Sequence, residues 1–225
     1  MVHDITQLRQ MDSMRRDFVS NLSHELRTPV SVIKANSETL LDGALEDKKD
    51  AKTFSKAILH NANRLSEMVT SLIDLSRIEY GELKFVINDI VLNDVVDSVI
   101  LAFKNKAKRK NINLKFERST EISVKADTQA VERILNNLLD NAITFSKNIN
   151  VKHQKIKKSV LIFIEDDGPG IPSSEYENVF KPFYKIDKSR NQTNSSVGLG
   201  LSIASDIIRS HGGDIAVSYT HLRAH

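Results

Sequence analysis

Residues 75–87 read Leu75-Ser76-Arg77-Ile78-Glu79-Tyr80-Gly81-Glu82-Leu83-Lys84-Phe85-Val86-Ile87, and inside this stretch the spacing of apolar residues changes. Up to Ile78 they recur every three or four positions, as on one face of a helix; beyond Gly81, Leu83, Phe85 and Ile87 alternate, as in a strand. The chain therefore divides here into an all-helical part and a mixed part.

The helical part extends back to the first residue. Ile5, Leu8, Met11, Phe18, Leu22, Leu26, Val30, Ile33 and Leu40 are separated by threes, fours and sevens, which predicts one long helix over 1–41. Pro29 interrupts its hydrogen-bond ladder and predicts a bend rather than an end, because the pattern continues beyond it. Asp42-Gly43 breaks the run, and a second helix is expected over 47–78 with Phe54, Ile58, Leu65, Met68, Leu72 and Leu75 on one face. A short turn between long helices predicts an antiparallel hairpin. Two helices cannot enclose a core, so the apolar seam most simply closes on a second copy, giving a four-helix dimer.

The mixed part is expected to contain helices over 93–110, from Asp127 to about Phe145, and from Gly198 to His211. Strands are expected around Ile112–Phe116, Ser123–Ala126, Val160–Ile164 and Asp214–Tyr219, with a polar loop over Lys188–Ser196. Strands and helices mixed in this way predict an α/β sandwich, helices covering one face of a sheet. The fold class is thus α + α/β, with a helical hairpin followed by the sandwich.

Composition sets the outer limits. The chain has 225 residues, 40% apolar and 27% charged, the profile of a globular protein. With no cysteine, disulfides, thiolate metal sites and cysteine nucleophiles are excluded. A net charge of +3, no tryptophan and only 4 tyrosines do not describe a nucleic-acid-binding surface. The basic run Lys104 to Lys110 reads as a solvated helix end, and His60 and His153 as surface residues. His211 fits a dipole and capping role at a helix C-terminus. No apolar run is long enough to span a bilayer, and Met1-Val2-His3-Asp4-Ile5-Thr6 is too polar for a secretory signal.

Two groups of residues carry chemistry. Ser23-His24-Glu25-Leu26-Arg27-Thr28-Pro29 lies on the first helix. His24, between the seam residues Leu22 and Leu26, faces outward near the seam edge. A neutral imidazole nitrogen is a competent nucleophile near pH 7, and a neighbouring carboxylate, Glu25, orients one tautomer. Zinc-protease chemistry is excluded, because Thr28 stands where a second histidine would be needed. The second group is spread over the sandwich. Asn137 and Asn141 lie i, i+4 on one helix with amides aligned, and an amide oxygen suits Mg²⁺ that also carries phosphate oxygens. Asp166-Asp167-Gly168-Pro169-Gly170 follows a buried strand, where a carboxylate can accept from an exocyclic amine and Gly168 and Gly170 let a flat ring approach. Gly198-Leu199-Gly200-Leu201 opens a helix whose N-terminus suits an anion. Singly these pieces are weak; in this order, on matching elements, they are specific.

The chain resembles the catalytic core of a bacterial two-component sensor histidine kinase over roughly residues 14–217. Phe18 with His24 to Pro29 is similar to that family's phosphoacceptor box and Asn137 to Asn141 to its asparagine box. Asp166 to Gly170 and Gly198 to Leu201 are similar to its glycine boxes, and Phe180-Lys181-Pro182-Phe183-Tyr184 to its phenylalanine box. The resemblance implies ATP-dependent autophosphorylation of His24 and transfer to an aspartate on a response regulator receiver domain, with a reverse phosphatase activity in which Thr28 positions water. Glu25 would take or orient the ring proton. It implies ATP and Mg²⁺ as ligands, with Asn141 on the metal, Asn137 beside the phosphates, Asp166 on the adenine amine and Lys185 on the phosphates.

The resemblance also divides the chain. Residues 1–12 are similar to the exit of a PAS sensor domain in kinases of the phosphate-regulon sensor type. A dimerisation and phosphotransfer hairpin covers 13–80, an ATP-binding domain of the GHKL type 81–219, and an atypical tail 220–225. Nucleophile and nucleotide then sit on different domains, and Tyr80-Gly81 is the natural hinge. The expected localisation is cytoplasmic for this fragment, with membrane anchoring only through an upstream region of a longer parent.

Three positions depart from the family pattern. Thr144 replaces a basic residue, Ser196 replaces a glycine, and Thr220-His221-Leu222-Arg223-Ala224-His225 replaces a final strand, which would leave a sheet edge unpaired. A catalytically impaired dimeric scaffold and a clamp-type ATPase using Glu132 or Asp140 therefore stand as alternatives.

Overall fold

A computed structural model of the chain describes residues 6–82, 84–157, 159–186 and 198–218. The fold separates into two compact units, residues 1–74 and 75–225. The expectations placed on Leu83, on the loop Lys188–Ser196, on the first five residues and on the tail lie outside the described residues.

The first unit is the helical hairpin. Helix α1 spans Thr6–Thr39 and runs through Pro29. The Pro29 ring is fully buried. A π-helical turn, Leu40–Ala44, follows, with Gly43 at φ 123, a conformation that a side chain would strain. Helix α2, Lys48–Glu79, opens on Asp47, whose Oδ1 accepts from the Lys49 and Asp50 amides at 2.6 and 3.2 Å. It closes on Gly81 at φ 65, where the amides of Gly81 and Glu82 donate to the carbonyls of Ile78 and Arg77. The expected glycine stop is thus a helix-terminating turn.

The second unit is built around α3 (Leu92–Arg109) and α4 (Thr128–Phe145). Strands β1 (Asn88–Val91) and β3 (Ser123–Ala126) pair antiparallel. Strands β2 (Asn113–Glu117), β4 (Asn148–Ile156) and β5 (Ser159–Asp166) form a second sheet in the order β2-β4-β5. There β2 runs parallel to β4, and β5 antiparallel to it. Helix α5, Gly200–Ser210, completes the unit. One core joins them: Leu92, Val96, Val99 and Phe103 of α3, Leu135, Leu139 and Ile143 of α4, and Ile149 and Val151 of β4.

Several local readings differ from the structure. The strand at Val160–Ile164, expected to be buried, leaves Leu161 and Ile162 exposed. The alternation at Phe85 and Ile87 belongs to an unpaired segment, and pairing begins only at Asn88. Asp214 to Ser218 carries no strand ladder. Strand β4 was not expected at all. Its core face is Ile149, Val151 and His153, and asparagines, lysine and glutamine fill the alternate positions, so its hydrophobic signal is thin. His153 is correspondingly buried rather than a surface residue. Its Nδ1 lies 2.9 Å from Ser119 Oγ, and burial pushes its pKa below the ordinary histidine value.

Candidate active site

In the hairpin, His24 is exposed on α1. The neighbouring Glu25 Oε2 accepts from Arg64 Nη2 of α2 at 2.9 Å, and both side chains are mostly buried. Glu25 and Arg64 lie equally far from the midpoint of the turn between Ala44 and Leu45, so their bridge marks the register of the antiparallel hairpin. Thr28 Oγ1 donates back to the His24 carbonyl at 3.3 Å. Pro29 has no N–H, so the Glu25 carbonyl lacks its helical donor. The nucleophile candidate therefore sits on a locally loosened helical turn beside an anchored carboxylate.

In the second unit, Asn137 and Asn141 are half-buried on α4. Asp127 opens this helix, its Oδ1 accepting from the Ala130 amide at 3.0 Å. No described residue hydrogen-bonds to either asparagine side chain, so both amides remain available to a ligand. The N-terminus of α5 packs beside Asn137. A Cβ on Gly200 would stand 3.5 Å from Asn137 Oδ1, and no side chain caps this helix end. Uncapped amides of a helix N-terminus beside the free side-chain amide of Asn137 suit the oxygens of a polyphosphate.

The glycine turns are held from behind. Gly198 has φ 80, and a Cβ there would meet the Phe183 backbone at 3.0 Å. Its carbonyl accepts from the Phe183 amide at 2.8 Å. Phe183, itself at φ 61 and buried, is a bulky residue in a left-handed conformation, a strain that surrounding contacts must maintain. Tyr184 donates to Glu175, which also accepts from Asn178 Nδ2 at 3.1 Å. The Tyr184 hydroxyl is raised above its ordinary pKa by that carboxylate, and Glu175 is correspondingly lowered. Lys185 follows, half-buried.

At the end of β5, Asp166 Oδ1 accepts from Ser146 Oγ at 2.7 Å and from the Gly168 amide at 2.8 Å. Its second oxygen makes no hydrogen bond to a described residue, and the side chain is exposed. A Cβ on Gly168 would fall 2.6 Å from Asp166 Oδ1, so a side chain there would displace the Asp166 carboxylate. Gly170 has φ 72. Asp167 points elsewhere and accepts from Asn148 N at 2.9 Å, Asn148 Nδ2 at 2.7 Å and Lys147 N at 2.7 Å. Those bonds, to Asn148 first, hold its carboxyl down to about 2.

The structure thus brings Asn137 and Gly200 together, ties Gly198 to the phenylalanine segment, and sets a half-free carboxylate at Asp166. Among the described residues no cluster of three or more His, Asp or Glu could hold a metal. A cation at Asn141 would need oxygens supplied by a ligand, which is how an amide serves a nucleotide-borne magnesium ion. A cavity of about 600 Å³ lined by Asn105, Lys108 and Arg109 shares none of these residues.

Two protein-family profiles match the chain. The His Kinase A (phospho-acceptor) domain matches residues 14–81, and the histidine kinase-, DNA gyrase B-, and HSP90-like ATPase domain matches residues 126–223. The chain belongs to the sensor histidine kinases. It is 33% identical over 219 residues to the sensor-like histidine kinase SenX3 of Mycobacterium bovis, covering 96% of this chain and 53% of SenX3. It is 31% identical to the sensor histidine kinase WalK of Bacillus subtilis, covering 96% of this chain and 36% of WalK. The chain therefore spans about half or less of these relatives. Among solved structures, the Acinetobacter baumannii histidine kinase AdeS superposes with a TM-score of 0.69 at 26% identity, over 83% of this chain and 86% of AdeS. The histidine kinase ThkA, solved in complex with the response regulator TrrA, shares the fold with a TM-score of 0.74 over 97% of this chain and 62% of the ThkA chain, at 24% identity.

Within the histidine kinase frame, the second unit is an ATP-binding domain. Sequence reasoning missed Arg64, Ser146 and Asp167. Arg64 could have been found by pairing positions equidistant from the centre of the turn between Asp42 and Asp47. The other two carry no signal beyond adjacency to the boxes.

Proposed function

We propose that this histidine kinase core binds ATP with Mg²⁺ in its second unit and phosphorylates its own His24. A His24 ring nitrogen attacks the γ-phosphorus, the bond from that phosphorus to the β,γ-bridging oxygen breaks, and ADP leaves. Phosphoryl transfer of this kind depends on placement and charge neutralisation more than on covalent help from the protein. Asn137 and the α5 N-terminus with Gly198 and Gly200 take the phosphate oxygens, with Lys185 adding positive charge. Asp166 reads the adenine amine through its free oxygen, and Gly168 and Gly170 admit the ring. Asn141 is the protein ligand for magnesium, whose contribution is to neutralise phosphate charge.

Glu25 orients the second ring nitrogen of His24. Held by Arg64, its carboxylate suits fixing an N–H in place better than carrying a proton away. The phosphoryl group then passes to an aspartate of a receiver domain docked on the exposed surface around His24. The reverse, hydrolytic reaction uses the Thr28 hydroxyl, released from the His24 carbonyl, to position water. Val19, Val30, Leu59, Val69 and Ile73 are exposed on the hairpin and supply the apolar seam for a second copy. The units reorient about Tyr80-Gly81. No helix among the described residues is long and apolar enough to cross a membrane, and anchoring would come from sequence outside this chain.

The reading is carried by one observation, an exposed His24 next to a carboxylate pinned across the hairpin. Incubation with labelled ATP and Mg²⁺ tests it. Acid-labile, base-stable label that disappears in His24→Gln and in Asn141→Ala is the expected result. Sustained ATP hydrolysis by His24→Gln would favour the clamp ATPase. ADP binding without labelling at any Mg²⁺ concentration would favour the scaffold.

A further inference from the structure

Residues 84–87, which lead into β1, have no strand partner among the described residues, yet they are not free. The Val86 amide donates to Asp127 Oδ2 at 2.7 Å. The other oxygen of the same carboxylate caps α4 through the Ala130 amide at 3.0 Å. One residue earlier, the Phe85 ring packs on the His211 ring with centroids 4.0 Å apart. His211 ends α5, and its Nδ1 lies 3.0 Å from the Ile207 carbonyl. A carbonyl can only accept, so Nδ1 carries the proton. The ring is thereby fixed against its own helix. Residues 85 and 86 thus touch the far ends of both helices that carry the nucleotide residues. Along α4 the distance from Asp127 to Asn137 is about 15 Å, and the run along α5 from His211 to Gly200 is similar.

We propose that Phe85 and Val86 form a strap across the ends of α4 and α5, with Asp127 as the positioning residue that fastens it. Pulled or turned by the exit of α2, the strap carries both nucleotide helices with it as one piece. Gly81, at φ 65 where α2 ends, then lies outside the strap. Burial alone would push the Asp127 carboxyl up. The amides of Ala130, Val86 and Gln129 together outweigh it and hold the group ionised. The His211 ring is near enough to lower the Asp127 carboxyl further. Asp127 takes no part in nucleotide contact. Its loss should leave the grip on ADP intact and impair delivery of the phosphoryl group to His24. This regulatory role rests on the autophosphorylation reading; the fastening itself does not.

The test separates cap from strap. Asp127→Ser retains a helix cap, because a serine oxygen reaches the first-turn amides, but it lacks the second oxygen that Val86 needs. Phe85→Ala removes the other attachment without touching α4, and it serves as the readout if the serine variant does not fold. Trypsin cleavage at the Lys84–Phe85 bond of the whole chain, followed by mass spectrometry, reports the strap directly. Both variants should be cut about fivefold faster or more than the parent, as expected when a local opening becomes easier. His24 labelling should slow about fivefold or more, with the ADP dissociation constant unchanged within about twofold. Unchanged cleavage at Lys84 in both variants would overturn the strap. A loss of ADP affinity equal to the loss of labelling would overturn the positioning role. A parent protein that never labels His24 would sink the kinase reading, whereas the cleavage result would still decide the strap.

Discussion

Arg64 was invisible to motif reading because it lies 39 residues from Glu25 and belongs to no box. The structure makes it the partner of the residue next to His24. Removing Arg64 takes a charge-assisted hydrogen bond from a largely buried carboxylate. Arg64→Ala should therefore destabilise the chain by about 1–2 kcal/mol in urea unfolding. It should also slow His24 labelling about tenfold at saturating ATP by removing the bond that holds Glu25 across the hairpin. Equal labelling in the two proteins would remove the orienting role. Asp167 carries a different kind of information. Its folded pKa is lowered from 3.8 to about 2, so the charged form is the one the fold stabilises. That stability is fully present above about pH 4 and is lost as pH falls through about 2. Asp167→Asn should be less stable than the parent at neutral pH. The gap should close between pH 4 and pH 2 in acid-unfolding curves followed by circular dichroism. A gap independent of pH would mean that the Asn148 and Lys147 bonds matter for shape rather than charge.

At the scale of elements, the helices were legible because each combines a periodic apolar face with a local stop or start. Asp127 opens α4, Gly81 closes α2, and Asp47 caps α2 just beyond the Asp42-Gly43 break. Strands were legible only where side chains on the core face are apolar. Val160 to Ile164 met that condition. Strand β4 did not, since its third inward position is His153. Phe85 and Ile87 alternate without pairing because Phe85 packs on a histidine ring rather than on a sheet. The glycine boxes were recognisable as residues, but the reason for each glycine required coordinates. At Gly168 the obstacle is the Asp166 carboxylate, and at Gly198 it is the Phe183 backbone. Gly168→Ala should push Asp166 off its turn and weaken ADP binding about tenfold, or about 1.4 kcal/mol, by calorimetry. A variant that binds ADP as tightly as the parent would show that Asp166 tolerates the shift.

For the whole molecule, the two-part division was readable from a change of period, and the structure cuts the chain between Asp74 and Leu75, within α2. What periodicity could not supply is the set of contacts that fastens residues 85 and 86 to the ends of α4 and α5. Gly81 sits at φ 65 just before them, a backbone that proline cannot adopt. Gly81→Pro should cut His24 labelling about tenfold or more while changing ADP affinity less than about twofold. Parallel losses would indicate damage to the ATP-binding unit instead of a blocked hinge.

Helix α1 has 34 residues without interruption, a rod of about 51 Å. Along such a rod, angular phase is conserved. One residue added between Arg16 and Phe18 would twist everything before it by about 100° relative to the imidazole of His24, whereas seven would bring it back to within about 20°. Whatever is joined ahead of Thr6 can thus address His24 by torsion, and a graft of foreign input modules onto this rod would work or fail with the periodicity of the heptad.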